Sequence, residues 1–194
     1  MEEKLLSLYK LIRLQVILGV LGIVPVRILS FIYHDHEIGR RMLEITIPIA
    51  ILIVDLVISY VIHSMRDKDD NFKMISVMCF FAGVFYMIRA LRSSIGMVTI
   101  PGCIAMAFTA VYVIGFSTLM IKLFMTRDPH MAEKWTKYRK AFVIILSVAV
   151  ISLLLMLIPG IDIFAFAVFA LVMLAELVSG VIFMLLIRDS SRIM

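Results

Sequence analysis

Six apolar stretches dominate this chain, each close to the ~20 residues a helix needs to cross a ~30 Å hydrocarbon layer. They run Leu14–Tyr33, Ile45–Ile62, Met74–Leu91, Pro101–Ile121, Ala141–Ile158 and Ile163–Ile187. Arg27 interrupts the first, Asp55 the second and Glu176 the last, while Arg89 sits near the end of the third. Strands of a membrane barrel would be about ten residues long with alternating polarity. These runs are long and continuous, so the expectation is an all-α, polytopic membrane protein with six transmembrane helices. Composition agrees: 63% of the 194 residues are hydrophobic and 17% charged, where a soluble domain is about half apolar and a quarter charged. That balance excludes an ordinary soluble fold, a disordered chain and a disulfide-stapled secreted domain. Residues 1–194 read as a single transmembrane domain. The first stretch is too long for the apolar region of a signal peptide and no small-x-small cleavage site follows, so it reads as a retained helix.

Orientation follows from the Lys and Arg on alternate sides. The N-terminus, the loops Arg66–Lys73 and Lys122–Lys140, and the C-terminus carry 14; the opposite side carries 4, namely Arg40, Arg41, Arg89 and Arg92. Both termini are therefore expected in the cytoplasm. The net charge of +5 follows from this topology and does not indicate nucleic-acid binding. Cys79 and Cys103 fall at opposite membrane faces, beyond disulfide reach. Both read as small apolar residues in packed helices.

An internal repeat organises the spans. Ile47-Pro48, Ile100-Pro101 and Ile158-Pro159 each stand at the expected outer start of an even-numbered helix, where the missing proline N–H costs nothing. Gly102 with Ala107-Phe108 matches Gly160 with Ala165-Phe166, and Arg66-Asp67, Arg127-Asp128 and Arg188-Asp189 recur at intervals of 61 residues. The unit is a helical hairpin, and three of them (14–62, 74–121 and 141–187) make the chain. Inverted three-plus-three repeats, common in transporters, would look different. With Pro159 at an outer turn and Ala175-Glu176-Leu177-Val178-Ser179-Gly180 late in the returning helix, the chain resembles the HdeD / DUF308 family of bacterial membrane proteins. The second hairpin matches through Pro101 and Gly115, and the first through Pro48 alone. The resemblance implies a bacterial plasma (inner) membrane and a part in membrane or acid-stress tolerance.

Ionisable groups at membrane depth cost several kcal/mol and face a bundle interior or a cavity. Asp55 lies eleven residues from both Glu44 and Arg66, roughly 16 Å from either. Glu176 is similarly central, and Arg27 lies in the outer third. On one reading Asp55 and Glu176 handle protons or cations with Arg27 as counter-charge. On the other, an Arg27–Asp55 ion pair pins two adjacent helices and Glu176 is protonated or hydrogen bonded in a helix contact.

The outer loop His34-Asp35-His36-Glu37 has metal-ligand residue types, but the alternating spacing suits a solvated loop and nothing completes a zinc set. His34 and His36 fit a pH sensor better, because they would charge as the medium acidifies. The segment Arg127–Lys140 holds the only tryptophan. Trp135 and Tyr138 among Lys134 and Lys137 read as an anchor at an anionic lipid surface, with a partner-docking helix as the alternative. Ala175, Ser179, Gly180 and Gly115 offer close-packing surfaces.

No nucleophile with a base, Walker loop, dinucleotide turn or metal motif occurs. The reading is a non-enzymatic, multi-pass protein without cofactor, HdeD-like in function. Its partners are the bilayer and a further copy or another membrane subunit, not nucleic acid. The alternatives are a small oligomeric ion channel or transporter using Asp55, Glu176 and Arg27, and an accessory subunit of a membrane complex.

Overall fold

In hydrocarbon each backbone N–H and C=O must be satisfied within its own segment, and long apolar runs meet that demand as helix. The computed structural model describes residues 1–32, 37–91, 100–156, 158 and 160–194; the side chains of 19–44, 90, 91, 162 and 173 lie outside the description. It is all-helical, with α1 (Glu2–Ile32), α2 (Glu37–His63), a 3-10 turn (Ser64–Asp67), α3 (Asn71–Leu91), α4 (Ile100–Phe124), α5 (Pro129–Leu155) and α6 (Asp162–Ser191). No strand occurs among the described residues. Five stretches, Ile45–Asp67, Asn71–Arg89, Ile100–Phe124, Pro129–Leu155 and Ile163–Ser191, are long and apolar enough to cross a membrane. Faces turned away from helix contacts expose Ile53, Ile144, Ile151, Leu171 and Leu174, the reverse of a water-soluble surface and what a lipid-facing helix presents.

The chain divides within α4 into two compact units, one ending at Tyr112 and the other beginning at Val113. In the first, the short turn after α2 folds α3 back against it. Ile58, Ile62, Met65, Phe72 and Ile75 are buried around that turn. Leu5, Leu8 and Ile12, spaced for one helix face, are the buried stripe of α1. Lys4 ties the start of α1 to the same turn, donating to the Ser64 carbonyl and pairing with Asp67 at 3.5 Å. Phe108 stacks on Phe81 and Phe85, with ring centroids 5.4 and 5.7 Å apart, and brings the first half of α4 onto α3.

In the second unit α5 packs along α6. Phe116 of α4, Trp135 and Tyr138 of α5 and Phe183 of α6 form its aromatic core, with centroid separations of 5.5–6.0 Å. Asp128 caps α5, accepting from the Met131 N–H at 3.1 Å, and Pro129 follows at the first helical position. Gly160, in the turn before α6, has φ +92°, a left-handed conformation that favours glycine.

Several local expectations change. Pro48 lies inside α2, eleven residues after its start, and not in a first turn; the polar stretch Glu37–Glu44 continues the helix ahead of the apolar one. Residues 129–140, expected as a loop, form the first half of α5, because the Asp128-Pro129 pair starts a helix there. The three Arg-Asp pairs do different work: Asp67 pairs with Lys4, Asp128 caps a helix, and Asp189 pairs with its neighbour Arg188 at 3.1 Å. Pro159 lies outside the described residues.

Candidate functional site

The most demanding polar group of the first unit is Asp55, a carboxyl half-way along the apolar part of α2 and only 5% exposed. Helix spacing turns Asp55, Ser59 and His63 toward α3, whose Ser76, Cys79 and Gly83 recur at three- and four-residue intervals on the facing side. Gln15 of α1 donates its side-chain N–H to Asp55 Oδ1 at 2.6 Å. On the other flank Gly83 leaves room for the carboxyl: a Cβ there would lie 2.7 Å from Asp55 Cβ and 2.9 Å from Oδ2. Three helices therefore meet on one acid. Among the described residues it forms no ion pair with a Lys, Arg or His.

Arg27, the expected partner of Asp55, stands twelve residues beyond Gln15 on α1, about 18 Å of helical rise; its side chain is outside the described residues. His34 and His36 are outside them as well. Glu176 is half-buried on α6 in the second unit and makes no hydrogen bond or ion pair among the described residues.

Between Asp55 and the 3-10 turn the α2–α3 contact becomes a polar ladder. Ser59 Oγ donates to the Ser76 carbonyl at 2.7 Å, and Ser76 Oγ donates to the Lys73 carbonyl at 2.7 Å. His63 Nδ1 lies 3.4 Å from Ser76 Oγ, and its Nε2 lies 3.4 Å from Arg66 Nη1. A neutral imidazole carrying its proton on Nδ1 satisfies both contacts, donating to the serine and accepting from the guanidinium. The ladder is the floor of a groove of about 440 Å³ lined by Leu56, Tyr60, Val77, Phe80 and Phe81 besides Ser59, His63 and Ser76.

Trp135 and Tyr138, expected at a lipid surface, are instead turned into the protein. Trp135 is 0% exposed and Tyr138 6%. The indole N–H of Trp135 donates to Ser190 Oγ at 2.9 Å, and Ser179 Oγ donates to the Tyr138 hydroxyl at 3.2 Å. The polar handles that fit a membrane interface are spent on α6 instead. Lys134 and Lys137 point outward, and Lys137 pairs with Glu133 at 2.8 Å, one turn back. Cys79 is buried, as its reading as a core residue implies, whereas Cys103 is exposed.

Reading the sequence alone misses Gln15 and Gly83. The signal was present: Gln15 is the only glutamine in the chain and lies in its first apolar stretch. No group of three or more His, Cys, Asp or Glu side chains that could hold a metal occurs among the described residues. The Asp55 arrangement can accept hydrogen bonds and lock helices; the groove can take an apolar guest. Comparison with family models, curated proteins and solved structures finds none that matches this chain.

Proposed function

We propose that this chain is a six-span, non-enzymatic protein of a bacterial plasma membrane, HdeD-like in its role in membrane or acid-stress tolerance, with both termini cytoplasmic. In this reading the sixth span is the apolar stretch Leu14–Tyr33, largely within α1. The observation that carries the proposal is the setting of Asp55: its carboxyl is held by Gln15 on one side and packed on Gly83 on the other. A carboxyl on an ion path needs water or a cavity beside it; one enclosed by three helices serves as a joint between them. A chain whose central acid is a joint fits a protein that withstands membrane stress better than one that conducts.

A second reading, a small ion channel or transporter, is favoured by Glu176, a half-buried acid without a partner among the described residues. Two measurements separate them. A strain lacking the protein should survive acid or membrane stress less well, and Asp55→Asn should restore survival. Proteoliposomes should pass no more proton or ion current than empty vesicles. Current that Asp55→Asn or Glu176→Gln abolishes would replace the first reading with the second.

A further inference from the structure

The groove on the α2–α3 pair has a chemistry that the stress-tolerance reading does not use. Leu56, Ser59, Tyr60 and His63 lie on one face of α2, and Ser76, Val77, Phe80 and Phe81 on one face of α3. Antiparallel packing sets the two faces side by side. The hydroxyl hydrogens of Ser59 and Ser76 are both spent on backbone carbonyls, so the floor offers a guest little hydrogen bonding. The walls are apolar and open to the outside, with Tyr60 73% and Phe80 and Phe81 each 39% exposed. From Leu56 to His63 the slot runs about 10 Å along α2. Its volume of about 440 Å³ falls in the ~300–1,000 Å³ range of small-ligand sites.

One turn beyond the slot, the same faces carry Arg66 on the α2 side and Lys73 on the α3 side. Both are exposed, and neither forms an ion pair among the described residues. Of the neighbouring acids, Asp67 pairs with Lys4 and Asp69 accepts from the backbone and side-chain N–H groups of Asn71, while Asp70 is exposed and makes no ion pair among the described residues. An apolar slot thus ends in two exposed cations without ion pairs among the described residues, beside a polar turn, the level at which acyl tails give way to headgroups. We propose that this groove binds one anionic phospholipid, with an acyl chain between Tyr60 and Phe80–Phe81 and the phosphodiester between Arg66 and Lys73. A second copy of the chain is a poorer occupant, because a two-fold contact through this face would set the same cations against each other.

Native mass spectrometry of the full-length chain in detergent, with phosphatidylglycerol and phosphatidylcholine added in equal amounts, tests this. One phosphatidylglycerol per chain should be retained, in at least tenfold excess over phosphatidylcholine. Arg66→Ala with Lys73→Ala should abolish that excess, whereas Lys134→Ala with Lys137→Ala should leave it unchanged. Val77→Trp, which fills the slot and keeps both cations, should also release the lipid. Should Val77→Trp fail to fold, judged by its thermal transition, the exposed Arg66/Lys73 pair still decides. Equal retention of the two lipids, unchanged retention in the Arg66/Lys73 double variant, or equal loss in the Lys134/Lys137 variant would overturn the site. A lipid-free dimer disrupted by Val77→Trp would assign the face to a second copy and overturn it too.

Discussion

Asp55 on α2 and Gly83 on α3 meet so closely that a methyl group on Gly83 would stand 2.7 Å from Asp55 Cβ, inside any normal contact. The colliding atom is a Cβ and not the far end of a flexible side chain, so neither helix can yield without moving backbone. The glycine sets how near the helices come. The acid in turn reaches back to Gln15 on α1.

Gly83→Ala should therefore destabilise the protein although alanine is the better helix former by about 1 kcal/mol. Overpacking of this kind costs ~1–3 kcal/mol. Asp55→Ala keeps the Cβ and should not relieve the clash, whereas Asp55→Gly removes it. The added cost of Gly83→Ala, measured by thermal unfolding in detergent, should be clearly smaller in the Asp55→Gly background than in the Asp55→Ala background.

The hydrogen bond from Gln15 predicts a different pattern. Gln15→Ala leaves a buried carboxyl oxygen without its donor, a loss of ~1–3 kcal/mol. Asp55→Asn retains an acceptor for the same amide and should melt near the wild type. Replacing both residues by alanine should cost less than the two single losses combined, because residues in contact do not behave additively. Additive losses in the melting series would mean that the two side chains do not act as a pair.

Trp135 offers a spectroscopic check, being the only tryptophan. Enclosed by Phe116, Tyr138 and Phe183 and bonded to Ser190, it should emit at short wavelength and resist quenching by acrylamide and by brominated lipid alike. Strong quenching by brominated lipid would return it to the membrane surface. Trp135→Phe loses mainly the indole hydrogen bond, worth ~1 kcal/mol. Trp135→Ala should cost ~3–5 kcal/mol, as large core deletions do.

What was legible in the sequence divides along a physical line. Length and apolarity are local properties, so the helical architecture, with five helices long and apolar enough to cross a membrane, could be read directly. Asp55 announced itself because a charge at that depth demands a partner. Which partner it takes depends on how α1 and α2 are set against each other, and a neutral amide such as Gln15 attracts less notice than the charge of Arg27. Trp135 misleads for another reason: an amphipathic aromatic flanked by lysines looks interfacial whether its ring faces lipid or protein. The spacing of Met131, Trp135 and Tyr138 on one buried face was the better guide, since lysines at the intervening positions only show where the opposite face points. Pro48 likewise marks a helix start by type, and only the helical run ahead of it shows otherwise.

The proposed orientation can be tested through the native cysteines. Cys103 is exposed near the start of α4, three residues after Ile100, whereas Cys79 is buried in α3. Maleimide reacts with the thiolate, which forms readily only where water reaches the sulfur. If both termini are cytoplasmic across six spans, the start of α4 faces outward. A membrane-impermeant maleimide should then label intact cells at Cys103, the label should persist in Cys79→Ser and disappear in Cys103→Ser, and a cysteine appended after Met194 should react only once the cells are opened. The reverse order of labelling would invert the topology, and with it the side of the membrane on which Arg66 and Lys73 meet their headgroups. The Asp55–Gln15–Gly83 joint would be untouched, because it depends on the helices alone.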